Sequence, residues 1–224
     1  HIKHKTVDSL AGRKIDYHLY PLTFSEYLFQ NDIEPELHHR IFENILRGGR
    51  QHTQQRLFDV RSLLHLILLY GQYPAMVNHP RDRVYLENFI DSLIFKDLLE
   101  LQLIDNRRVA LNLLKLLAYQ AGGMVNYSEL ATRLQVDQRT VKRYIEIFEQ
   151  SFILFRLYPF TGNKRDEIVK TPKIYFYDTG IRNALIGDFS DMDLRPDAGA
   201  LFENFIVCEC FKANRYLNAG YSLH

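Results

Sequence analysis

The 224-residue chain is 46% hydrophobic, enough to bury a sizeable core in one large domain or in two to three small ones. Its 28 Lys and Arg against 27 Asp and Glu leave a formal charge of +1, which excludes a bulk cationic field, so any polyanion has to be met by a local patch. The only cysteines, Cys208 and Cys210, stand two apart in a helical pattern and diverge, which argues against a disulfide scaffold or structural zinc and makes a reducing cytoplasm the expected setting.

The longest apolar run, "LLHLILLYG" at 63–71, is about half the length of a membrane span and is expected to be a buried helix. No basic region followed by an apolar stretch opens the chain, so neither secretion nor a membrane partner is expected. The chain starts at His1 rather than Met and stops in "AGYSLH", so a longer parent is expected at both ends.

In chain order, "GRKIDYHLYPL" alternates Ile15, Tyr17 and Leu19 with polar residues, as a strand does. One strand here implies sheet partners elsewhere. In "TFSEYLF" Thr23 stands three before Glu26, the spacing of a capping box at a helix start. Apolar residues then recur at helical spacing over 37–46, 60–70 and 84–103, with polar or Gly/Pro breaks between them, which predicts a helical bundle.

"RRVALNLLKLLAYQAGG" predicts a helix ended by Gly122 and Gly123. Ser128 is the expected cap of "ELATRLQV", and Asp137 that of "QRTVKRYIEIFEQS". After Ser151 the period changes to two through Phe152, Leu154 and Leu157, and a second strand, "KIYFYD", follows the loop "TGNKRDE". Three helices followed by a hairpin predict a winged helix-turn-helix. "DTGIRNALIGDF" reads as a short helix and "GALFENFIVCECFKANRY" as a longer one, for whose apolar face no sufficient partner is expected within the chain. The expected class is mostly α with minor β, a helical bundle plus a winged helix.

The candidate chemistry lies at the start of the second helix of that central unit. Gln138, Arg139 and Thr140 occupy its first turn, with Lys142 and Arg143 one turn on. A recognition helix needs this arrangement, because its N-terminal side chains face base edges while neighbouring cations neutralise phosphates. Lys164 and Arg165 fall in the loop where a wing touches the DNA backbone or minor groove. Glu146 and Glu149, further down the same helix, count against DNA and toward a protein-docking module.

Adjacent His38 and His39, with His52 nearby, cannot converge on one ion, and Asp91 and Asp97 lie on different helix faces, so no metal site is expected. No nucleophile–base arrangement and no Gly-rich phosphate loop is present in the sequence.

Three segments, "LAGRKIDYHLYPLTFSEYL", "LLYGQYPAMV" and "PKIYFYDTGIRNALIG" with the following "GALFENFIVCE", resemble the C-terminal two-thirds of a family of bacterial and archaeal AAA+ superfamily ATPases. In that family a P-loop module is followed by a helical lid, a winged helix and a restriction-endonuclease-like domain. The resemblance implies four parts: residues 1–22 as the last strand of the ATPase core, 23–105 as the lid, 106–171 as the winged helix, and 172–224 as the start of the nuclease-like domain. It also implies that Arg13 is similar to an arginine finger reaching the nucleotide of a neighbouring subunit, which makes other subunits of a homo-oligomer expected partners beside DNA. Glu203 looks like the acid that such nuclease-like folds contribute to a metal site.

The phosphate-binding loop and the Mg²⁺-binding acidic strand are absent from this sequence. ATP and Mg²⁺ are therefore expected cofactors of the full-length protein, with none in this chain, which alone is expected neither to hydrolyse ATP nor to cut DNA. The expected function is the lid and DNA-binding portion of the ATPase. A protein-interaction or oligomerisation module and a regulated metal-dependent nuclease are the alternatives.

Overall fold

The computed structural model describes residues 18–31, 54–92, 103–160, 170–217 and 222–224. Within them the chain is mostly α with a small β contribution. The elements run α1 (Phe24–Gln30), α2 (Gln54–Tyr70), α3 (Pro74–Val77), α4 (Arg83–Ile90), α5 (Arg107–Tyr119), α6 (Tyr127–Leu134) and α7 (Gln138–Gln150). Two strands, β1 (Leu154–Leu157) and β2 (Lys173–Phe176), are followed by α8 (Thr179–Ile186), a 3-10 turn (Met192–Leu194) and α9 (Ala198–Tyr216). No helix among the described residues is long and apolar enough to cross a membrane. Residues 12–17 of the expected strand, the whole of the expected helix at 37–46, Arg13, His38, His39, His52 and Asp97 lie outside the described residues, and residues 18–22 of that stretch form no strand.

Side-chain caps start most of the helices. The Thr23–Glu26 capping box is formed at α1, and Asp137 Oδ1 accepts from the Thr140 amide at 2.6 Å at α7. Helix α6 corrects the sequence-based expectation: its cap is Asn126, whose Oδ1 accepts from the Glu129 amide at 3.1 Å, so the helix starts before Ser128. The end of α5 is a second correction. The helix stops at Tyr119, and Gly122 and Gly123 pair with β2 instead of capping it. The Gly122 amide donates to the Ile174 carbonyl at 2.8 Å and the Ile174 amide to the Gly123 carbonyl at 3.3 Å. Gly122 has φ +80°, a left-handed turn that glycine makes without a Cβ penalty.

β1 and β2 are antiparallel, with Leu154 opposite Phe176 and Phe155 opposite Tyr175. Alternation sends Leu154, Ile174 and Phe176 into the main core and Phe155, Tyr175 and Tyr177 to the other side. That main core joins Met76, Leu86, Ile104, Leu113, Leu117, Tyr144, Phe148 and Ile181, among others. One apolar body therefore crosses the expected boundaries at 105/106 and 171/172, and β1 and β2 pair across the second of them. Each fully buried Leu or Phe in it contributes about 1.5–3 kcal/mol of transfer free energy.

Helix α9 overturns the expectation that its apolar face lacks a partner. Leu201 and Phe205 pack with Tyr27, Ile67 and Leu68, and Cys208 packs with Phe155, Tyr175 and Tyr177 on the outer face of the ribbon. Asn204, fully buried, accepts from the Phe176 amide at 2.8 Å and donates to the Phe176 carbonyl at 2.9 Å, extending the pairing of β2.

Between α8 and α9 two buried arginines converge on one carboxylate. Arg195 donates to Asp197 from Nε at 2.9 Å and from Nη2 at 3.0 Å, and Arg182 pairs with the same group. The Arg195 hydrogen bonds, with help from Arg182 and against the opposing effect of burial, lower the Asp197 carboxyl to about 2. A depressed carboxylate adds stability that is fully present above its unfolded value near 4 and is lost as pH falls toward the folded value. The difference in melting temperature between the wild type and Asp197→Asn is therefore expected to be largest at neutral pH and to shrink on acidification below about pH 4. A difference that stays constant over that range would remove this linkage.

Candidate nucleic-acid interface

Helices α6 and α7 join through a short turn. Gln135 adopts a left-handed φ of +55°, the Val136 amide donates to the Ala131 carbonyl at 3.1 Å, and Asp137 caps α7 immediately afterwards. The inner face of α7 is buried through Val141, Tyr144, Ile145 and Phe148, a spacing of three and four residues. Its opposite face is thereby turned to solvent, and Gln138, Arg139, Lys142 and Arg143 are all exposed.

The structure divides the expected contact residues into groups. Gln138, Arg139 and Lys142 share the exposed face, and the Asp137 carboxylate at the start of the helix lies close enough to Arg139 to interact with its charge. Lys142 Nζ sits 5.3 Å from the centre of the Tyr127 ring, a cation–π contact reaching back to α6. Thr140 is half-buried and serves the Asp137 cap. Hydrogen bonds from Thr140, its amide first, hold the Asp137 carboxyl below its ordinary range. Arg143 pairs with Asp105, the second residue before α5, and its guanidinium lies over the Tyr144 ring at 5.2 Å. Lys164 and Arg165 lie outside the described residues.

The two acids that count against a polyanion behave differently. Glu149 is engaged internally: its Oε2 accepts from Arg156 Nε at 2.8 Å and its Oε1 from the Arg156 amide at 3.1 Å, fastening the end of α7 to β1. Glu146 is exposed. Behind this joint Phe152 takes a φ of +56° and its ring packs on Tyr20 and Tyr177, a position where sequence rules favour glycine.

Glu203 belongs to a different place, the seam between α9 and β2. It accepts from Tyr175 Oη at 2.7 Å and from Lys173 Nζ at 3.2 Å, and these bonds, the tyrosine's first, hold its carboxyl below the ordinary range. Asp91 is an exposed residue at the end of α4. Among the described residues no three His, Cys, Asp or Glu side chains converge as a metal site would require.

Sequence reading missed a buried polar joint. Lys212 Nζ donates to the Leu22 carbonyl at 2.9 Å, to Gln72 Oε1 at 3.2 Å and to Glu209 Oε1 at 3.0 Å. Glu209 Oε2 accepts from the Phe24 amide at 2.7 Å. Asp178 accepts from the Gln72 amide at 2.6 Å and from the Ile181 amide at 3.0 Å. Burial pushes the Asp178 carboxyl up, against the pull of these amides and of Lys212. The available signal was the pair of glycines it abuts, Gly71 and Gly180, the latter inside a helix where glycine is otherwise unfavourable.

No solved structure matches the chain. A protein of Methanocaldococcus jannaschii described as uncharacterized is 26% identical over 199 residues, 82% of this chain and 40% of that protein. An uncharacterized protein of Haemophilus influenzae is 22% identical over 185 residues, 80% of this chain and 41% of its own length. An uncharacterized protein of Mycobacterium tuberculosis is 32% identical over 94 residues, 41% of this chain and 21% of that protein. The chain thus spans about two fifths, or less, of the length of these curated relatives. A family model matches residues 61–192, more than half of the chain, and on that match the chain belongs to the family described as Domain of unknown function (DUF8612).

Proposed function

We propose that this chain is the lid and DNA-binding portion of an AAA+ ATPase, with α5, α6, α7 and the β1–β2 ribbon forming a winged helix whose helix α7 lies against DNA. The observation that carries this reading is the exposed cationic start of α7, where Arg139 and Lys142 face solvent on a helix whose other face is locked into the core. The succession helix, β2-paired segment, helix, helix and two antiparallel strands supports the winged-helix assignment. The length of the curated relatives, well beyond the matched stretch, leaves room for the module that would hold ATP and Mg²⁺. In this reading the lid transmits nucleotide state to the winged helix through their common core.

Phosphate neutralisation makes affinity fall linearly with the logarithm of salt concentration, with a slope of about 0.9 per phosphate contacted on duplex DNA. Changing Arg139 and Lys142 together to Ala is expected to weaken duplex binding and to flatten the salt slope by about 2. Fluorescence anisotropy of a labelled duplex across a salt series measures both. Equal affinity and slope for the variant and the wild type would overturn the assignment of α7, leaving a protein-docking surface as the reading to pursue.

A further inference from the structure

We propose that Asp105 is a built-in competitor for DNA: its carboxylate occupies the Arg143 guanidinium where a backbone phosphate would bind, so that Arg143 is masked in the free protein. The inference rests on the reading of α7 as a DNA-contacting helix and concerns how that same surface is regulated.

The geometry fixes both partners. Ile104 is buried beneath the connection into α5, and the Asn106 amide donates to Tyr144 Oη at 3.1 Å, while Asn106 Oδ1 caps α5. Asp105 is held between these two anchors. Arg143 is the neighbour of Tyr144 on α7 and lies across its ring. The ion pair therefore bridges 38 residues of sequence with little freedom on either side. Both side chains are nevertheless open to solvent, Asp105 at 68% and Arg143 at 45%, so the pair contributes little to folding and a polyanion can reach it.

An arginine–carboxylate pair and an arginine–phosphate pair use the same planar donors. A phosphate approaching Arg143 must displace the carboxylate or share the guanidinium with it against a like charge. Exposed pairs of this kind are worth roughly 0.2–1 kcal/mol, which converts to an affinity penalty of up to about fivefold. Asp105 sits on the short stretch 103–106 that leads into α5.

The test is a cycle of Asp105→Asn, Arg143→Ala and the double variant, read by anisotropy of a labelled duplex across a salt series. Asparagine keeps the size and hydrogen-bonding reach of Asp105 and removes its charge, and Asp105→Ser provides an independent second removal. Both are expected to raise affinity by about threefold and to steepen the salt slope by about 0.9, one more phosphate contacted. The gain from Asp105→Asn is expected to vanish in the Arg143→Ala background. Salt-dependent binding that depends on Arg139 and Lys142 but is unmoved or weakened by Asp105→Asn would overturn the competitor role and leave α7's assignment standing. Absence of binding in the wild type and in every Asp105 variant would instead overturn the DNA reading, and this inference with it.

Discussion

Gly180→Ala is expected to destabilise the protein by roughly 3 kcal/mol, although helix propensity alone favours alanine over glycine by about 1 kcal/mol. The reason is the contact between the start of α8 and the end of α2. A Cβ on Gly180 would run into the Tyr70 carbonyl and the Gly71 amide nitrogen, main-chain atoms that no side-chain rotation can move. The space is closed from behind as well, because Gly71 carries φ +84° and a Cβ there would meet the Asp178 carboxylate. Asp178 in turn caps α8 through the Ile181 amide, so moving α8 away from α2 disturbs its own cap. The neighbouring bonds would be strained together: Thr179 Oγ1 donates to the Ile67 carbonyl at 2.9 Å and Asn183 Nδ2 to the Leu68 carbonyl at 2.9 Å. For a chain of this size the loss corresponds to a fall in melting temperature of roughly 6–12 °C. A variant that melts at or above the wild type would show that propensity wins and that the helix contact yields.

That contact also shows where sequence reading stops. Period and capping chemistry are local properties, so the helices around Leu113, Leu130 and Tyr144, the Thr23 and Asp137 caps and the two strands were legible from neighbouring residues alone. The cap of α6 was misplaced because Asn126 and Ser128 are both good caps and only the tertiary position of the preceding β2-paired segment selects the earlier one. The partner of α9 was missed because it is a sheet face assembled from β1 and β2, whose alternation puts Phe155 and Tyr175 outward only once the register is known. At the candidate interface, the exposure of Arg139 and Lys142 followed from the apolar spacing of α7. The engagement of Arg143 by Asp105, 38 residues away, did not. Lys212 carried no signal, since a lysine near the end of a helix ordinarily points to water.

That lysine carries the other large effect. Lys212→Met is expected to cost about 3–5 kcal/mol, because it removes one member of a buried ion pair and leaves the other uncompensated. Lys212 is fully buried and Glu209 largely so, with side-chain exposures of 0% and 15%. Burial opposes the ammonium form, and the facing Glu209 carboxylate, which accepts from it, and Asp178 favour it, so the lysine is held charged. Without it, the Leu22 carbonyl and Gln72 Oε1 also lose a donor in the interior, and each unsatisfied group adds about 1–3 kcal/mol unless water replaces the bond. The damage should be local before it is global. Leu22 and Phe24 are tied to the rest of the molecule by the Leu22 amide to the Gln72 carbonyl at 2.9 Å and the Phe24 amide to Glu209 at 2.7 Å. Amide exchange at Leu22 and Phe24 is therefore expected to quicken in Lys212→Met more than exchange in α5 or α7. Glu209→Gln should cost less, since the amide oxygen still accepts from Phe24, and the double variant should lose less than the sum of the two singles because they act on one network. Additive losses, or a Lys212→Met protein within about 1 kcal/mol of the wild type, would mean that the pair is not the fastening of the 22–24 segment to α9.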